Sequence, residues 1–120
     1  MDAPSTDAWV DEVKAQPGSE GIGMILVHEG VVRGSSRSGE PVTGMLLGVD
    51  RSRLSEILDE AVTWPGVLGV RVWVTEGSLA VGDTIMKVLV AGDIRDNVFG
   101  ALQRLVGLIK GEVVTESELR

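Results

Sequence analysis

Three basic residues each sit at the end of an apolar segment, where a folded domain can bring charge to a ligand. They are Arg33, Arg95 and Lys110, in a chain whose net charge is -7. Strand ends and helix termini carry many binding sites, and a planar guanidinium group binds phosphate or carboxylate through paired hydrogen bonds. The placement of these residues therefore predicts an anion site.

Each of the three cations also has a structural interpretation. An arginine beside a polar loop, such as Arg33, is commonly solvated. Arg95 lies near the start of a helical segment, where the helix dipole disfavours a cation. Its two open interpretations are therefore a role in binding a ligand or an ion pair, and a simple solvent-exposed position. Lys110 near the end of that segment is favoured by the dipole alone. Convergence of the side chains in one pocket distinguishes these interpretations.

Composition excludes several classes of site and partner. The 120 residues include no Cys, three Trp and one Phe, which excludes disulfides, thiol catalysis and thiolate metal sites. The basic field and interleaved aromatic side chains that nucleic-acid binding needs are both missing. His28 has no second ligand at metal spacing, so we predict no metal and no cofactor. Its imidazole is expected to be hydrogen-bonded or partly exposed rather than catalytic.

The N-terminus and the length of the apolar runs predict a cytoplasmic protein without a membrane partner. Residues 1–5 do not start a basic region followed by an apolar one, as a signal peptide does. No apolar run reaches the roughly 20 residues that span a bilayer. With 43% hydrophobic residues, the chain suits one domain with a single core.

The apolar pattern predicts the element order helix, strand, strand, helix, strand, strand, helix, strand. Strands are expected where branched apolar residues run or alternate, and helices where they recur at helical spacing. The expected strands are 22–32, 42–49, 67–74, 84–91 and a short 112–115, and the expected helices follow Ser5, Asp50 and Asp93. This order lacks regular βαβ alternation. It favours an α+β two-layer domain with a mainly antiparallel sheet and a long C-terminal helix.

We expect residues 1–120 to form a single domain. Residues 1–20 are predicted to be a peripheral N-terminal helix and linker, and residues 112–120 a polar C-terminal tail. The segment 34–41 is rich in Gly, Ser and Pro, which predicts a mobile loop. Because it follows Arg33, this loop is placed to close over a ligand.

Three stretches resemble the large, catalytic subunit of molybdopterin synthase, a MoaE-like protein. They are Gly30-Val31-Val32-Arg33, then Gly77-x-Leu79-x-x-Gly82-Asp83-x-Ile85, and Arg95-x-x-Val98-Phe99-x-Ala101 with Lys110 near the end of that helix. The stretches stand in the family's order and at nearly its spacing. The resemblance runs from about Gly21 to Lys110, which is most of the chain.

The resemblance implies a fold, an activity and partners. The family has an α/β-hammerhead fold, and two large subunits pair at the centre of its complex. It transfers sulfur from the thiocarboxylated C-terminal Gly-Gly tail of a ubiquitin-like, MoaD-like small subunit to cyclic pyranopterin monophosphate. By this resemblance Arg33 and Arg95 would bind the substrate anions, and Lys110 would be the catalytic amine.

Several residues depart from the family pattern. Ile94 replaces the His of a His-Arg pair, and Val74-Thr75 replace another His-Arg. Glu116 and Ser117 stand where the family has a Trp and its second active-site Lys. Two functions therefore remain open. One is a sulfurtransferase of molybdenum cofactor biosynthesis. The other is a catalytically impaired paralogue that acts as a module binding a pterin, another anion or a partner's tail.

Overall fold

In residues 2–120, the part of the chain that the computed structural model describes, six strands form two antiparallel sheets of three strands. Three α-helices and two short helical turns connect them. In chain order the elements are α1 Thr6–Ala15, a 3-10 turn Ser19–Gly21, β1 Met24–Val31, β2 Gly44–Val49, α2 Arg51–Ala61, β3 Val67–Val74, β4 Gly77–Ala80, β5 Thr84–Gly92, α3 Arg95–Leu108, a π-helical turn Ile109–Val113 and β6 Val114–Leu119. The predicted α+β class with antiparallel pairing is confirmed.

The larger sheet has the strand order β1-β5-β3, and its central strand is buried along almost its whole length. Val88 and Val90 belong to the main core, which includes residues of α2 and α3. Leu89 and Ala91 instead pack with Trp9 and other residues of α1. Alternate residues of a strand face opposite sides of a sheet, so helices cover both faces of β5.

The smaller sheet has the order β4-β2-β6 and differs from the sequence-based expectation in two places. The last strand was expected over 112–115 but is Val114–Leu119, paired with β2 from Val49 to Gly44. The connection after β3 contains a further strand, Gly77–Ala80, on the other side of β2. β4 has only four residues and β6 is mostly polar, so neither shows a strong strand pattern; their pairing with β2 is a long-range effect that the local sequence does not reveal.

The last helix ends differently from the prediction. An α-helix was expected to reach Lys110, but α3 stops at Leu108 and a π-helical turn takes over. Its end residues Ile109 and Val113 are buried, whereas Lys110, at its second position, is exposed. The buried ends tie this turn to the core and leave Lys110 facing outwards. Of the helices in the described residues, none has the length and apolar character needed to cross a membrane.

Candidate functional site

A cavity of about 850 Å³ lies where the end of β1, the loop 34–41, the π-helical turn and β6 meet. Four cations line it together with two carboxylates: Arg33, Arg37, Lys110, Arg120, Glu116 and Glu118. The lining thus carries a net charge of +2 in a chain whose net charge is -7. Such a concentration of cations favours an anionic ligand.

The structure brings two of the three predicted site residues together. Arg33 and Lys110 lie 77 positions apart in the sequence, and both line this cavity. Arg95, the first residue of α3, does not line it and forms no ion pair with any residue in the described range 2–120. Its predicted role in anion binding gains no support from this cavity and stays a prediction.

Arg33 is positioned by the end of β1. The preceding residue, Val32, is 1% exposed and is held by backbone hydrogen bonds with Asp83 and Gly82. The Nε of Arg33 donates to the carbonyl oxygen of Ser35 at 3.0 Å. Within residues 2–120, its two terminal guanidinium nitrogens make no hydrogen bond, so they can donate to a ligand.

The loop 34–41 is organised around Ser36. The Ser36 N–H donates to the carbonyl oxygen of Glu40 at 2.8 Å, and the Ser36 hydroxyl accepts from the Glu40 N–H at 3.2 Å. Gly39 adopts a φ of 88°, which closes the turn without the cost that a side chain would bring. These contacts present Arg37 to the cavity. The predicted mobility of this loop stays a prediction.

Internal carboxylates lie against two of the cavity's cations. Lys110 Nζ is 3.6 Å from Glu116 Oε1. Arg120 contacts Glu40 at 2.7 Å and Glu118 at 3.7 Å. Partly exposed ion pairs of this kind contribute about 0–1 kcal/mol each, which is less than a good anionic ligand gains from the same cations. A ligand can therefore displace them.

The alternation of β6 decides which of its residues reach the cavity. Glu116 and Glu118 line it, whereas Ser117 lies between them and does not. Ser117 is the position that the family resemblance aligns with the second active-site lysine. Among the described residues, the cavity therefore holds one amine, Lys110, and a carboxylate beside it.

His28 lies closer to the site than its sequence position suggested. Burial lowers the pKa of its imidazole, and the positive charge of Lys110 lowers it further. Its Nε2 is buried and has no hydrogen-bond partner among residues 2–120. Of the two expected alternatives, a hydrogen-bonded or a partly exposed imidazole, the structure shows a partly exposed side chain. Burial and the charge of Lys110 both disfavour the protonated form of the His28 imidazole.

Sequence reasoning missed two of the cavity's cations, Arg37 and Arg120. The available signal for Arg37 was its place in the loop that follows Arg33. Arg120 had none, because only the pairing of β6 with β2 carries it to the cavity rim.

Comparison with known proteins identifies similar sequences and structures. The family model described as MoaE protein matches residues 3–112. Molybdopterin synthase from Staphylococcus aureus has a TM-score of 0.78 at 20% identity, covering 99% of this chain and 87% of that one. The molybdopterin biosynthesis MoaE protein from Burkholderia ambifaria MC40-6 has a TM-score of 0.75 at 24% identity, covering 100% and 83%.

A third similar structure is a complex of two proteins. It is that of subunits 1 and 2 of molybdopterin-converting factor from Helicobacter pylori 26695, with a TM-score of 0.70 at 14% identity, covering 97% of this chain and 79% of that one. No curated protein sequence matches. At these identities the structural likeness shows the fold, and it confirms the molybdopterin synthase large-subunit fold expected from the sequence.

Proposed function

Because this chain belongs to the MoaE protein family, we propose that it acts in molybdenum cofactor biosynthesis as a molybdopterin synthase large-subunit-like protein. The proposed reaction is sulfur transfer from a thiocarboxylated small subunit to cyclic pyranopterin monophosphate. The observation that carries this proposal is the cavity in which Arg33 and Lys110 meet. Its volume of about 850 Å³ lies in the range of small-molecule sites.

The charges of the cavity suit both anions of this reaction. The free terminal nitrogens of Arg33 can bind a phosphate or the carboxylate of a tail through two parallel hydrogen bonds. Lys110 supplies a positive charge at the same cavity, or an amine once it has lost a proton. We propose Arg33 as an anion-binding residue and Lys110 as the catalytic one. Arg95 is kept as a second proposed anion-binding residue, outside this cavity.

The proposed partner is a ubiquitin-like, MoaD-like small subunit whose C-terminal Gly-Gly tail enters the cavity. Support comes from the similar Helicobacter pylori structure, which is a complex of two subunits. A homodimer of the present chain is a further part of the proposal.

One observation favours the second candidate, a binding module without catalysis. The single amine of the cavity, Lys110, is paired with Glu116, and Ser117 does not line the cavity. The Lys110 ammonium is thus engaged by an internal carboxylate rather than free to act on a bound substrate. Such a module would bind the pterin phosphate or the tail through Arg33 without catalysing sulfur transfer.

The two candidates differ in one assay. The protein is mixed with a thiocarboxylated small subunit and cyclic pyranopterin monophosphate, and dithiolene product is measured. We expect product from the unmodified protein and at least about a hundredfold less from Lys110→Ala, in line with the loss of a group acting in the reaction. Lys14→Ala, at an exposed lysine in the last turn of α1, is the control. Tail binding without product would support the module, and neither binding nor product would contradict both.

A further inference from the structure

The start of α2 is hydrogen-bonded to the π-helical turn that carries Lys110. The Asp50 N–H donates to the carbonyl oxygen of Val113 at 2.8 Å. Two N–H groups of the Arg53 guanidinium converge on Glu112 Oε1, from Nε at 3.0 Å and from Nη2 at 2.8 Å. Lys110 is two positions from Glu112. The contact between Arg53 and Glu112 thus joins α2 to the exposed part of the turn.

Arg53 is itself held in place. Asp50 caps α2 by accepting from the Arg53 N–H at 3.0 Å, which fixes the backbone from which the side chain starts. Glu56, one turn further along α2, lies 3.5 Å from a third guanidinium nitrogen. The Arg53 side chain is 31% exposed and that of Glu112 44%. A charge-assisted contact fixed at both ends constrains geometry even where it adds little to stability.

The turn that carries Lys110 is a π-helix of five residues. Single π-helical turns are rare and occur frequently at functional sites. The buried ends of this turn, Ile109 and Val113, anchor it to the core, but the exposed part between them contains Gly111, which adds backbone freedom. Within residues 2–120, two side-chain contacts hold this exposed part from outside the turn: Glu112 with Arg53 of α2, and Lys110 with Glu116 of β6.

We propose that Arg53 is a positioning residue for Lys110. Through Glu112 it fixes the π-helical turn, and this keeps the Lys110 ammonium in the cavity beside Glu116. The contribution of this positioning to ligand binding rests on the anion-binding role proposed for the cavity. Arg53 does not line the cavity and touches no ligand there, so its effect passes through the turn alone.

The variants are Arg53→Ala, Glu112→Gln and the exchanged pair Arg53→Glu with Glu112→Arg. Arg104→Ala is the matched control. Like Arg53, Arg104 forms an ion pair that involves α2: it lies on α3 and contacts Glu60 at 3.2 Å. Its guanidinium also lies 4.2 Å from the centre of the Trp64 ring. Arg104 does not line the cavity. Two quantities are measured on the full chain. One is the affinity for inorganic phosphate. The other is the state of the Lys110 amine, followed by its NMR signal and its acylation rate. The melting temperature is recorded for each variant.

We expect Arg53→Ala and Glu112→Gln to weaken phosphate binding roughly two- to fivefold, the scale of one partly exposed ion pair. The Lys110 signal should shift and its acylation rate should change. Arg104→Ala should leave both quantities at the unmodified values, even where its melting temperature falls as much. The exchanged pair should restore phosphate binding to within about twofold if the contact acts through its opposite charges.

Two results would overturn the proposal. One is an unchanged Lys110 signal and acylation rate in Arg53→Ala, and the other is an equal change in Arg104→Ala. Failure of the proposed function looks different. If the unmodified protein binds no phosphate while the Lys110 amine still responds to Arg53→Ala, the anion-binding role falls and the positioning role of Arg53 stands.

Discussion

At the scale of single residues, the balance between Lys110 and Glu116 sets the charge that the cavity offers. Their contact of 3.6 Å leaves the two side chains 48% and 30% exposed. Glu116→Gln removes one negative charge from the lining, so we expect tighter binding of inorganic phosphate by about two- to fivefold at low salt, with less gain at high ionic strength. Titration with inorganic phosphate, followed by NMR, measures this affinity. Glu12→Gln, whose carboxylate pairs with Arg71 away from the cavity, should show no gain. Equal affinities in all three proteins would contradict a ligand at Lys110.

His28 makes the stability of the fold depend on pH. Its pKa is lowered in the folded state, first by burial and then by Lys110. Below the unfolded value of about 6.5, the unfolded chain therefore binds a proton that the folded chain does not. We expect the free energy of unfolding to fall as the pH decreases from about 6.5 to the pKa of His28 in the folded state. His28→Gln should lack this decrease. Urea unfolding at several pH values measures it, and identical pH profiles would contradict the effect.

Some residues of the cavity could be predicted from the sequence and others could not. Arg33 and Lys110 were predictable, because each closes an apolar segment and matches a family motif. Ser117 aligned with a family lysine, yet the alternation of β6 turns Glu116 rather than Ser117 to the cavity. That alternation depends on the register with β2, which is set by residues about 70 positions away.

At the scale of elements, the junction of β5 with α3 packs too closely for a side chain at Gly66. This glycine has a φ of 76°, and a Cβ there would overlap Asp93 and Asn97. Asp93 accepts from the Ile94 N–H at 2.6 Å and from Asn97 Nδ2 at 2.9 Å, so its carboxylate is fixed directly before α3 and against Gly66.

We expect Gly66→Ala to lower the free energy of unfolding by about 2–4 kcal/mol, because it adds overlap to backbone strain. Gly18→Ala is the matched control. Gly18 has a φ of 85° and open space around it, so about 1 kcal/mol of strain alone is expected there. Urea unfolding of both variants measures how much free energy of unfolding each one loses. Equal losses in Gly66→Ala and Gly18→Ala would contradict the expected overlap with Asp93 and Asn97.

Elements were predicted best where the local pattern is strong. The central strand β5 reads as an apolar run, and α2 shows helical spacing behind its Asp50 cap. The π-helical turn was missed, because it is held by Arg53, which lies 59 positions from Glu112 in the sequence. No local pattern predicts a contact of that range.

At the scale of the whole molecule, one of the two outer strands of the larger sheet points to association. On β1, which has a neighbour on one side only, Val27 and Val31 are 36% and 48% exposed. Sheet edges with apolar side chains are usually covered by another element or chain. We expect sedimentation of the purified protein to give about twice the monomer mass of 12.7 kDa. A monomer at micromolar concentration would contradict the proposed homodimer, while the cavity within one chain would be unaffected.

The central claim is that Arg33 and Lys110 bind one ligand together in a single cavity. Calorimetric affinities for cyclic pyranopterin monophosphate, measured for the unmodified protein, Arg33→Ala, Lys110→Ala and the double variant, test it most directly. We predict that each single change weakens binding and that the two losses are not additive, with a coupling of about 0.5–3 kcal/mol, since both side chains contact the same ligand. Strictly additive losses, or single variants that bind as the unmodified protein does, would contradict a shared site.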